Sequence, residues 1–113
     1  SARVHLARVL AQATSILMLD EPTAALDVRH QAMLMETLRA RAAGGAACMI
    51  VVHDLNLAAR HADRIALVAD GRLRAVGDPW SVLTPARIAD AFGHPADVIA
   101  HPACGSPLIL PMV

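Results

Sequence analysis

The sequence has no lysine: all ten of its basic residues are arginine. A GxxxxGK[ST] phosphate loop cannot lie within it, because that loop needs a lysine to reach the terminal phosphates. Cysteine is scarce as well. Cys48 lies in an apolar run and Cys104 in a Pro/Gly-rich stretch, which gives neither a disulfide framework nor metal-ligand spacing and suits a reducing cytosolic setting. Neither sign of charge prevails, since ten basic and ten acidic side chains leave a formal net charge of +0. Lacking a basic footprint for a sugar-phosphate backbone, the chain is not expected to bind nucleic acid. Hydrophobic residues make up 56% of it, yet every apolar run stops well short of the roughly 18 residues of a membrane span, and no signal-peptide pattern occurs.

What is present is a chain of 113 residues, enough for one small core but short for a complete α/β enzyme. It opens on Ser1 with a helical pattern already running by Val4, so the natural start is expected upstream. Leu6, Val9, Leu10 and Ala13 recur at helical spacing and predict an amphipathic helix over residues 3–13. The run Ile16-Leu17-Met18-Leu19 ends at Asp20-Glu21-Pro22 and, lacking alternation, suits a strand covered on both faces. Asp27 can cap a second helix that turns Leu34, Met35, Leu38 and Ala42 inward and stops at Gly44-Gly45. Cys48 to Val52 predicts another buried strand, closed by His53-Asp54. Strand, helix, strand is a βαβ crossover, so the two strands should run parallel.

Beyond it, Asp54 is positioned to cap a short helix from Leu55 to His61, and Ile65 to Val68 reads as a third strand. Asp70-Gly71 is a two-residue hairpin signal, which sends Arg72 to Val76 back antiparallel as an edge strand. Asp78-Pro79 and Thr84-Pro85 each set a capping residue before proline and announce short helices around Trp80 to Leu83 and Arg87 to Phe92. From His94 the chain is rich in proline and glycine, with Val98-Ile99 and Leu108 to Leu110 as small strands. The expected division is therefore 1–93 and a tail, 94–113.

Two parallel strands that end in Asp20-Glu21 and in His53 direct attention to one end of a sheet, because open α/β sheets bind ligands outside the carboxyl ends of their strands. An aspartate behind four apolar residues is what a P-loop NTPase needs to fix a carboxylate near Mg²⁺. Glu21 beside it can orient or deprotonate an attacking water. A bound Mg²⁺ would keep Asp20 ionised despite its acidic neighbour. The plainer alternative gives Asp20 and Glu21 a structural strand-end role, makes His53 a core or capping histidine and leaves Asp27 as a helix cap. His5, His30, His61, His94 and His101 fit no ligand spacing, Met33, Met35 and Met49 read as core filler, and Trp80 reads as a packing anchor.

The run Ile16 to Asp27 resembles the Walker B strand, catalytic glutamate and D-loop of the ABC ATPases. Val51-Val52-His53-Asp54 is similar to that family's H-loop, and Arg3 to Arg8 to the helix after its signature loop. The resemblance covers residues 3 to about 93. It implies an α/β fold, the C-terminal part of a P-loop NTPase domain, with a mostly parallel sheet flanked by helices and an antiparallel edge hairpin. It also implies ATP and Mg²⁺ as cofactors. Asp20 would hold Mg²⁺ through water, Glu21 and His53 would be catalytic, and Asp20, His53 and Asp27 would be nucleotide-binding. The implied partners are a second copy in a head-to-tail dimer and transmembrane permease subunits, at the cytoplasmic face of the cell membrane. His53 to Arg60 and Asp63 to Leu67 are similar to ATPase subunits of importers for iron chelates, haem and cobalamin, and His101 to Pro111 resembles the end of haem import ATPases, where the cargo is met only indirectly. With Walker A and the signature loop absent, these 113 residues alone are expected to be inactive. The alternatives are a non-transport ABC ATPase, or a truncated module without activity.

Overall fold

The computed structural model describes residues 16–20 and 26–112. They form two compact units, one reaching to His53 and one running from Asp54. The helix expected over 3–13 lies outside the described residues.

In the first unit, β1 (Ile16–Asp20), α1 (Val28–Ala43) and β2 (Ala47–Val51) make the expected crossover. The strands pair in parallel, in register from Ile16 beside Ala47 to Asp20 beside Val51. The Asp27 carboxylate starts α1 by accepting the His30 N–H at 2.9 Å. Leu34, Met35 and Leu38 then recur on one helical face and are buried. Burial of each leucine contributes roughly 1.5–3 kcal/mol. The helix lies against β2, where the Cys48 thiol reaches the Leu38 carbonyl at 3.7 Å. It ends at Gly44, and Gly45 follows with φ +104°, a backbone open to glycine and strained for other residues.

Continuous apolar runs predicted cover on both faces of β1 and β2, and here the structure differs. Leu19 is 7% exposed, whereas Met18, Met49 and Val51 are 72%, 60% and 51% exposed. Side chains alternate between the faces of a strand, and one crossover helix covers one face.

The second unit begins with α2 (Leu55–His61), capped by Asp54, whose carboxylate accepts the Asn56 and Leu57 N–H groups. Next, β3 (Ile65–Ala69) and β4 (Arg72–Gly77) pair antiparallel around Asp70 and Gly71, both at positive φ as a tight hairpin turn requires. The register slips between Leu67 and Val68, which leaves Arg74 without a cross-strand partner. Such a bulge re-aims a side chain, and the Arg74 guanidinium donates to the Ala69 carbonyl, to Asp70 and to Asp90. Two short proline-started helices follow, α3 (Pro79–Val82), capped by Asp78, and α4 (Pro85–Phe92), capped by Thr84.

The stretch from His94, read from sequence as a tail, closes the core of this unit. β5 (Ala96–Ala100) and β6 (Pro107–Pro111) form an antiparallel hairpin, and Ala96 and Ile109 are buried with Ala59, Leu67, Val82 and Ile88. By compactness, the boundary between the two units falls between His53 and Asp54. Prolines mark the ends of β6 but do not prevent a strand. Among the described residues, parallel pairing is confined to β1 and β2, and the two other strand pairs are hairpins.

Candidate functional site

Asp20 is the last residue of β1 and is exposed. Paired residues of parallel strands point to the same face. Asp20 therefore shares the open face of the crossover with Val51, and Met18 and Met49 pair behind them. Together with Leu19 they line a shallow depression of about 280 Å³. A carboxylate at the rim of an apolar surface, at a strand's carboxyl end, fits a hydrated divalent cation: it offers oxygen ligands and leaves room for water.

His53 follows two residues after Val51, the register partner of Asp20, and is exposed. Asp20 and His53 thus lie at the same end of the parallel pair. Glu21, the expected partner of the attacking water, lies outside the described residues. Asp27 caps α1 rather than standing at a strand end, and its carboxylate also meets the His30 ring at 2.8 Å. The structure therefore joins His30 to Asp27, a pairing sequence reading passed over although D-x-x-H sets both at one helix start.

Three other side chains singled out from sequence have partners within the second unit. His94 Nε2 meets the Met112 carbonyl at 2.6 Å, His101 Nδ1 accepts the Ala103 N–H, and Trp80 Nε1 donates to the Gly105 carbonyl. The Ser106 hydroxyl beside Cys104 holds that exposed thiol below its usual pKa.

The chain is 52% identical over 110 residues, 97% of its length, to the hemin import ATP-binding protein of Rhodococcus jostii. It is 48% identical over 111 residues to that of Thermobifida fusca and 50% identical over 113 to that of Photobacterium damselae. The chain belongs to the ABC ATPase family. It spans about two fifths of the length of these curated relatives, 38–43%. No protein-family model matches it. Among solved structures, an inward-facing metal-chelate type ABC transporter aligns with 99% of the chain at a TM-score of 0.81 and 20% identity, a likeness of fold, and covers with it 46% of its own chain. A dimeric bacterial ABC transporter cassette aligns with 68% of the chain at a TM-score of 0.62 and 33% identity, over 33% of its own length. Both likenesses are to the α/β ATPase domains of this family, so the P-loop NTPase fold read from the sequence holds.

Proposed function

We propose that this chain supplies the Walker B, D-loop and switch-histidine part of the ATP-hydrolysing subunit of an importer. The observation that carries the reading is the common position of Asp20 and His53 at the carboxyl end of β1 and β2. Asp20 would hold Mg²⁺, through water, and Mg²⁺ would there neutralise charge on the β- and γ-phosphates. Glu21 would orient the water and accept its proton, His53 would hydrogen-bond the γ-phosphate, and Asp27 would face nucleotide at the start of α1. The chain lacks lysine, so the phosphate-cradling loop has to come from sequence outside it.

The hemin named for the relatives makes haem, or an iron chelate, the proposed cargo. This subunit would meet it only indirectly, through membrane permeases. No described helix is long and apolar enough to cross a membrane. In keeping with its likeness to a dimeric ABC transporter cassette, the subunit is proposed to work in pairs, head to tail, on the cytoplasmic side of permease partners. Glu21→Gln in the full protein that carries this chain tests the reading. ATP turnover should fall by about 10²–10⁴-fold while ATP still drives dimerisation, seen by light scattering. Undiminished turnover contradicts it, and stimulation of turnover by DNA would favour a non-transport ATPase.

A further inference from the structure

We propose that Asn56 is a positioning residue for His53, locking the helix that follows the histidine onto the C-terminal hairpin; this rests on the reading of His53 as the γ-phosphate contact. The Asn56 carboxamide grips one residue of β6 by both backbone groups. Its Oδ1 accepts the Ile109 N–H at 2.7 Å, and its Nδ2 donates to the Ile109 carbonyl at 3.2 Å. An oxygen and an N–H held side by side reproduce a peptide edge, so one side chain does what a neighbouring strand would do.

The sequence of β6 explains why this point is singled out. Backbone groups of an antiparallel strand alternate between its two edges. Ile109 therefore shares its outward edge with Pro107 and Pro111, and neither proline has an N–H. The one outward donor of β6 is that of Ile109, a residue only 5% exposed. Left without a partner, a buried N–H is costly, and Asn56 satisfies it across 53 residues of sequence.

The other end of the tether reaches the residue that follows His53. The Asn56 N–H donates to the Asp54 carboxylate at 3.0 Å, and the Leu57 N–H joins it at 3.2 Å. Hydrogen bonds thus run from β6 through Asn56 to Asp54, the residue directly bonded to His53. A loosened first turn of α2 would free the peptide that carries the imidazole. Misplacing a catalytic contact by an ångström lowers turnover strongly, while nucleotide affinity, set by phosphate and metal contacts, stays.

The test uses the full protein that carries this chain, with Asn56→Ala and Asn56→Asp, the latter keeping only the acceptor. In both, kcat for ATP should fall by about 10- to 100-fold while KM for ATP stays within about twofold and the melting transition remains above the assay temperature. An unchanged kcat in a folded variant overturns the proposal. So does a fall of kcat in proportion to the unfolded fraction, or failure of both variants to fold, since the amide would then serve folding alone. His53→Ala measured beside them separates the two claims: if it leaves turnover intact the nucleotide reading fails, and if it abolishes turnover while the Asn56 variants do not, only the tether fails.

Discussion

Asp20 ends a strand, His53 lies two residues beyond one, and Asp78 caps a helix. Asp20 gains its use from the strand behind it. Asp78 shows the capping case most simply: its carboxylate accepts the Ser81 hydroxyl at 2.6 Å and the Ser81 N–H at 3.2 Å. The hydroxyl first, then the N–H, hold its pKa below the usual carboxylate range. Because the folded pKa is depressed, the cap's contribution is complete above the unfolded carboxylate pKa of about 3.9 and is lost as pH falls through the folded value. Thermal melts of the wild type and Asp78→Asn should differ near neutral pH, and the gap should shrink as pH falls below the unfolded carboxylate pKa. A gap that stays constant across that range would show that the charge of Asp78 is not what stabilises α3.

At the scale of elements, the first unit depends on one helix covering one face of two strands. Leu34 is 1% exposed, so Leu34→Ala should lower the unfolding free energy by about 2–5 kcal/mol, measured by urea denaturation. A loss below about 1 kcal/mol would mean that α1 is not the cover of β2. The crossover, the caps at Asp27, Asp54, Asp78 and Thr84, and the Asp70-Gly71 turn were all legible, because each depends on residues adjacent in sequence. Three features were not. The open face of Met18 and Met49 depends on what lies across it, and a buried run reads alike whether one face or both are covered. Ala96 and Ile109 joined a core through contacts distant in sequence, which proline and glycine content does not reveal. Asn56 meets Ile109 across the same distance, and no local pattern distinguishes it from any solvent-facing asparagine.

For the molecule as a whole, the division between compact units falls at His53/Asp54, beside the proposed switch residue. The family and the α/β fold were legible because the segments that resemble Walker B, D-loop and H-loop are each contiguous in sequence. The haem reading comes from the resemblance of His101 to Pro111 and not from any side chain placed to meet cargo among the described residues. The central claim is that Asp20 and His53 serve one metal-bound triphosphate, and Mn²⁺ in place of Mg²⁺ tests it most directly. With Mn²⁺ and ATP bound to the full protein, the histidine ring resonance assigned to His53 should broaden beyond detection, and Asp20→Asn should restore it. A His53 signal that stays sharp when the wild-type protein is saturated with Mn²⁺ and ATP would contradict the account.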